Sequence, residues 1–444
     1  MRVPKRPPGT KALIESVAGR AGRLQAVLSV TRDPCPGGRY RHWDKLLALS
    51  PPGDLTHEEW WLAIKLARGS MLKQLDLRDV NGAPFQFCTP DPALEMLHRV
   101  DRDAGGRIQM PEQVTNPATR DRYIVRSLVE EAITSSQLEG AVTTRLVAKE
   151  MIRTGRQPKD HSEQMCMNNY LAMQEVRDLS KQSLTPEVVC NLHGTVTRGT
   201  LDDPNAAGRL RRGDKQVRVM DPYNEVIHTP PPAGELEGRL AAMCDFANKK
   251  TPDYFVHPVV RAIALHFWLA YDHPFEDGNG RTARALFYWS MLSQGYWLGE
   301  FISISPFLVK APTRYTRAFL YSETDENDMT YFILFHLKLI CRAIDELYQY
   351  LERKMADLRE TEGILRQSAH VNHRQLALLS HGLRHAEARY TFRSHMTSHG
   401  VTYQTARTDL LGLAAKGLLV RHEIRRTFYF SPADNLEARL GGFE

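Results

Sequence analysis

The sequence predicts a mainly α-helical protein with one small β-hairpin near its middle and a separate C-terminal unit in which helices precede two short strands. Three observations predict it. Ile124, Leu128 and Ala132, beside Val125, Val129 and Ile133, repeat every four residues, and Val260, Ile263, Ala264, Phe267 and Tyr271 recur at helical spacing. Residues 217–232, VRVMDPYNEVIHTPPP, hold two strand-like runs about an Asp-Pro-Tyr-Asn turn and stop at three prolines. Residues 401–430 read as a helix with a Gly417 stop, then two short strands around RHEIRR.

Taken in order, residues 1–100 read as a helical and irregular accessory region. Loop signals such as RDPCPGGRYRHWD and VNGAPF separate short amphipathic stretches anchored by Trp43, Trp60 and Trp61. Residues 101–360 form the helical core. One of its helices, about 120–140, ends at Gly140, and another runs through Tyr271 into the stretch HPFEDGNGRTAR, 273–284. Leu286, Phe287 and Met291 resume the apolar face, so the stretch is a tight loop between two core helices. A charged connector, LERKMADLRETEGILRQ, leads to the unit 361–444, with helices near Gln375–Leu383 and Phe392–His399 and a third whose N-cap is near Thr402.

With 444 residues, 42% of them hydrophobic, the chain can bury a substantial core divided into two or three domains. The net charge of +6 is modest but localised: Arg374 to Ser431 carries nine basic residues against three acidic ones, which accounts for all of it. Six cysteines far apart and without a C-x-x-C pair suggest neither a disulfide framework nor a zinc ribbon and fit a reducing, cytoplasmic setting. No apolar run approaches the roughly 18 residues of a membrane span, so no membrane partner is expected.

The loop 273–284 concentrates the chemistry. DGNG alone is a common turn, but here it has catalytic neighbours. Gly278 and Gly280 let the backbone turn its N–H groups outward, and the helix starting near Asn279 adds free donors and positive dipole, which together make an anion nest. Asp277 suits a hard cation such as Mg²⁺. Arg281 and Arg284, three apart on one helix, suit phosphate oxygens. His273 can accept a proton near neutral pH, and Phe275 anchors the loop in the core. Base, metal carboxylate, anion nest and arginine clamp are the parts of a phosphoryl or nucleotidyl transfer site.

At all eight fixed positions this stretch is similar to the H-x-F-x-[DE]-G-N-G-R-x-x-R signature of the Fic domain. The resemblance implies a compact helical domain that binds ATP with Mg²⁺ and transfers AMP to a hydroxyl of a target protein, releasing pyrophosphate. It implies His273 as the base that deprotonates a Ser, Thr or Tyr hydroxyl, and Asp277 as the Mg²⁺ ligand. Gly278, Asn279 and Gly280 become the anion hole, Arg281 the contact to the β- and γ-phosphates, and Arg284 the contact to the γ-phosphate. Tyr315, in RYTRAFLYSETDEN, falls in the region that lines the adenine pocket of such domains, although the other expected partners are missing there.

The hairpin 217–232 occupies the place of the family's flap, which pairs with a target segment as an added strand, and Val226, Ile227 and His228 are its docking candidates. Upstream, SSQLEG resembles the family's inhibitory pattern [ST]-x-x-x-E-G, with Ser135 first, Glu139 as the acid and Gly140 closing the helix. Because it precedes the loop, it resembles the subclass whose inhibitory helix lies on the N-terminal side, with Glu139 pairing Arg284. At the C-terminus, TARTDLLGLAAKGLL resembles a run common in winged helix-turn-helix units. There Tyr403, Gln404 and Arg407 are the candidates to face DNA bases, with protein docking as the other role open to such a unit.

The sequence thus reads as an autoinhibited, cytoplasmic protein adenylyltransferase. Two alternatives stand beside it: removal of AMP from a modified protein through Glu139, and an ATP-sensing, DNA-binding transcriptional regulator. The partners implied are ATP and an unnamed target protein; DNA and a second copy of the chain remain open.

Overall fold

The computed structural model describes all residues except 1–2, 21, 32, 106–116, 214–216, 221–224, 297–298, 300, 368–370, 386, 425–426, 435 and 442–444. The described chain is mainly helical, with three antiparallel two-stranded hairpins. It divides into compact units Met1–Leu347 and Tyr348–Glu444, and the division falls within the helix Thr330–Gln367, earlier than the expected 360/361. Among the described residues no helix is long and apolar enough to cross a membrane.

In the first unit, the helix His57–Gly69 starts from a reciprocal capping box between Thr56 and Glu59 and buries Trp60, Trp61, Leu62 and Ile64. The stretch after it, expected to be irregular, is a hairpin of Lys73–Arg78 and Pro84–Phe87. Leu75, Leu77, Phe85 and Phe87 are its buried positions, and Gly82 turns the chain at φ 82°. Buried charges join this region to the core. Lys65 Nζ lies 2.9 Å from Asp325 Oδ1, and the Arg68 guanidinium stacks 3.5 Å from the centre of the Tyr40 ring and donates to Tyr331 Oη.

The centre of the unit is a pair of consecutive helices, Pro258–Asp272 and Asn279–Ser293. Of their 15 residues each, 13 and 12 are buried, so they are enclosed on all sides rather than amphipathic. The helix Pro117–Leu138 packs against His161–Leu179. Its Val129, Ala132 and Ile133 are buried as the periodicity predicts, while the side chains of Ile124 and Val125 lie outside those described. It also buries Glu131, whose carboxylate accepts from Tyr288 Oη, Ser303 Oγ and both the N–H and hydroxyl of Ser305.

The second unit contains helices His373–Arg384, Phe392–His399 and Tyr403–Ala415, then the hairpin Leu419–Ile424 with Thr427–Pro432. Tyr390 pairs with Phe430 through two 2.8 Å backbone bonds, adding a short third strand. The three helices meet at buried Asp409, which accepts from Arg374, Asn372 and His395.

Candidate active site

Every expected residue of the loop 273–284 is brought to one place by the break between the two central helices. His273 ends the first with a left-handed backbone, φ 46° and ψ 56°, unusual for a residue with a Cβ and carrying strain of about 1–3 kcal/mol. Its Nδ1 lies 3.3 Å from the Ala270 carbonyl, which can only accept, so the proton sits on Nδ1 and Nε2 keeps its lone pair. Burial, with help from His228 and Arg211, pushes its pKa down to about 4 against the opposing pull of the Ala270 carbonyl and Glu139. The ring is therefore neutral, and a base, at pH 7.

Gly278 caps the second helix at φ 79°, and a Cβ there would stand 2.5 Å from Thr197 Cγ2. The Asn279 side chain braces the loop: Oδ1 accepts from Phe275 N–H at 3.0 Å and Nδ2 donates to the Phe275 carbonyl at 2.9 Å. Its contribution to an anion site is thus through its backbone at the helix start. Asp277 is largely exposed and lies 3.1 Å from an Arg281 nitrogen. Arg281 is buried, donates also to the Val196 carbonyl, and its Nε has no partner among the described residues.

Arg284 is fully buried and held by the end of the helix Pro117–Leu138 and by Glu139 just after it. It donates from Nε to Ser135 Oγ at 2.8 Å, and from Nη2 to the Ser135 carbonyl at 3.0 Å and to Glu139 Oε1 at 2.8 Å. Its Nη1 has no partner among the described residues. Gly140 follows Glu139 with φ 94°, which turns the chain away after the carboxylate.

Glu139, His273, Gly280 and Tyr315 share a cavity of about 220 Å³ with the flap residues Val219, Met220, Ile227 and His228. The flap strands Val219–Met220 and Val226–His228 are antiparallel, and the turn 221–224 lies outside the described residues. Val226 is exposed, whereas His228 turns inward. Burial pushes the Tyr315 phenol up to about 12, and its oxygen lies 2.8 Å from His266 Nε2. In the other unit, Tyr403, Gln404 and Arg407 are exposed on one helix start, while residues 425–426 of the hairpin turn are not described.

Sequence reasoning missed two supports. His193 donates from Nε2 to the Asp277 carbonyl at 2.8 Å, accepts from Gly208 N–H on Nδ1, and stacks on Phe275 at 3.7 Å. Its place on the buried face of Pro186–Thr197, between Val189 and Val196, was the available signal. Arg211 donates to the carbonyls of His273 and Pro231, tying loop to flap, and nothing in its local sequence marks it.

Residues 183–291 match the Fic/DOC family. The chain is 27% identical over 254 residues to a protein named protein adenylyltransferase Fic from Nematostella vectensis, covering 56% of this chain and 55% of that protein. It is 24% identical over 245 residues to a protein of the same name from Aedes aegypti, covering 55% and 45%. The chain thus spans about half the length of these curated relatives. In fold it is similar to the crystal structure of a Fic family protein from Desulfovibrio desulfuricans G20, with a TM-score of 0.54 at 18% identity over 78% of this chain and 97% of that one. The flap, the helix leading into the loop and the loop itself all lie inside the segment that matches the Fic/DOC family.

Proposed function

We propose that this chain transfers AMP from ATP to a hydroxyl side chain of a protein and is held back by its own Glu139. The observation that carries the reading is the meeting, in one cavity, of an unprotonated His273 with a carboxylate seated on the arginine that a nucleotide needs. In the reaction, His273 Nε2 takes the proton of the hydroxyl, whose oxygen bonds to the α-phosphorus while the bond to the β-phosphate oxygen breaks and pyrophosphate leaves.

The buried Arg281 Nε and Arg284 Nη1, without partners among the described residues, fit a ligand that brings oxygen acceptors, as a triphosphate does. The helix start at Gly278–Gly280 supplies N–H donors for it. One exposed carboxylate, Asp277, fits a hard divalent ion such as Mg²⁺ that arrives with the phosphates and would neutralise charge on the leaving group. Tyr315 lines the cavity, which supports a role in packing against the adenine.

Two second readings have their own observations. The Glu139 carboxylate lines the cavity beside His273, where it could orient water for removal of AMP from a modified protein. The exposed Tyr403, Gln404 and Arg407, in the segment Arg374–Ser431 whose charge equals the net positive charge of the chain, support contact with DNA. A cytoplasmic setting accords with six free cysteines.

The deciding experiment follows label from α-labelled ATP with Mg²⁺ in wild type, Glu139→Gly and Glu139→Gly/His273→Ala, alone and with cytoplasmic extract. Label retained on protein only in Glu139→Gly establishes transfer, inhibition and base together. Label in none of the three overturns the proposal and directs attention to AMP removal and to ATP-dependent DNA binding.

A further inference from the structure

His228, at the end of the second flap strand, is not available to meet a target side chain. Its Nε2 lies 2.7 Å from the carbonyl oxygen of Tyr271, and its Nδ1 lies 2.9 Å from Glu323 Oε2. A carbonyl only accepts, and so does an ionised carboxylate, so both ring nitrogens must carry hydrogen and the ring is an imidazolium. We propose that His228 is a positioning residue for the transfer reaction, pinning the flap to the two elements that frame the cavity: the end of the helix Pro258–Asp272 and the helix Pro312–Thr324. This inference rests on the adenylyl-transfer reading above.

The flap needs such a pin. Among the described residues only Val219 with His228 and Met220 with Val226 are paired, with a register shift between them, and a two-stranded hairpin has little stability of its own in water. Met220 and Val226 are exposed, so little apolar burial holds it. The His228 side chain, by contrast, is only 9% exposed, and Tyr271 lies two residues before His273. The bond to the Tyr271 carbonyl therefore registers the flap backbone against the base, and Arg211 adds a second tie from the His273 carbonyl to Pro231. An added target strand would inherit that register.

The charged groups around His228 agree with its role. Glu323 faces it from the helix Pro312–Thr324; Tyr271, Asp272 and His273 face it from the end of Pro258–Asp272. Asp272 is itself held by Arg239 and Trp268. Burial opposes the charge on His228, but Glu323 outweighs it and holds the pKa above the ordinary histidine value. The pin is thus complete below the ordinary histidine range while Glu323 stays ionised, and it is lost as pH rises through that elevated value. While charged, His228 also helps keep His273 unprotonated.

The test uses the full chain with Glu139→Gly as parent, adding His228→Ala or Glu323→Gln. Hydrogen exchange at Val219, Met220 and Val226–His228 is followed across pH 6–9, together with self-labelling from α-labelled ATP and calorimetric binding of a non-hydrolysable ATP analogue. His228→Ala should speed flap exchange and slow labelling, each about tenfold or more, with analogue affinity within about twofold of the parent. Glu323→Gln keeps an acceptor but removes the charge, so the pH at which the flap loosens should fall. The proposal is overturned if flap exchange is unchanged in His228→Ala, if analogue affinity falls in step with labelling, or if Glu323→Gln leaves the pH midpoint where it was. A parent that carries no label sinks the transfer reading, while the exchange data still decide whether His228 pins the flap.

Discussion

Glu139 and Gly280 are in such close approach that a Cβ added to the glycine would lie 2.2 Å from Glu139 Oε1 and 2.9 Å from Cδ. The carboxylate rests on the first turn of the helix whose N–H groups would face a nucleotide's phosphates, and it occupies Arg284 at the same time. One side chain therefore covers two parts of the anion site.

Glu139→Gly should free both. A charge-assisted contact of about 1.5–3 kcal/mol corresponds to a gain of roughly ten- to a hundredfold in productive nucleotide binding and so in label transferred. Rates of labelling at subsaturating ATP, compared with wild type, check this; equal rates would remove Glu139 from an inhibitory role.

His273→Ala in that background should abolish labelling and leave the affinity for an ATP analogue within a few fold. Because burial depresses its pKa to about 4, His273 gains a proton only as pH falls toward that value. The labelling rate should have no acid limb near 6.5, the ordinary histidine range, and a pH–rate profile from 5 to 8 would show one if His273 were solvated.

Gly278→Ala should destabilise the loop twice over, through its left-handed backbone and through the 2.5 Å approach to Thr197 Cγ2. Thr197→Ser removes that methyl group. In the double variant the steric part should be recovered and a cost of about 1–2 kcal/mol from the backbone alone should remain, measurable by thermal or denaturant unfolding.

Asp409→Ala should unfold the C-terminal unit preferentially. It strands Arg374 and His395 around a buried site, at a cost of about 3–5 kcal/mol. Burial tends to raise the Asp409 pKa, but its bonds from Arg374, Asn372 and His395 prevail and hold it below the ordinary carboxylate value. That stabilisation is present above the unfolded-state pKa and is lost as pH falls through the folded one, so wild type should lose the unit only in acid while the variant lacks the stabilisation at neutral pH. Hydrogen exchange of Tyr403–Ala415 reports it.

What the sequence disclosed and what it hid divide along the range of the interactions. The loop 273–284 was legible because its glycines, carboxylate and arginines act within a few residues of one another. Glu139 and Arg284, 145 residues apart, were joined only by resemblance, and the structure joins them directly. The hairpin at 73–87 reads as loop because Asn81-Gly82 punctuates the stretch, while its strand signal, the alternation of Leu75 with Leu77 and of Phe85 with Phe87, is short. His228 read as a docking residue, since its partners Tyr271 and Glu323 are distant in sequence and contribute one carbonyl and one carboxylate that leave no local mark.

The buried Glu131 has a consequence for control. Four donors from two other segments rivet the Pro117–Leu138 helix eight residues, or about 12 Å along its axis, before Glu139. On the inhibitory reading, the helix is bolted to the frame at Glu131 and its tip is held to the site by the bonds of Ser135 and Glu139 to Arg284. An activating signal need not peel the helix away; it has only to swing the last turn, Ser135–Gly140, or rotate one carboxylate. Such a release would leave the four buried bonds of Glu131, and the domain beneath them, in place.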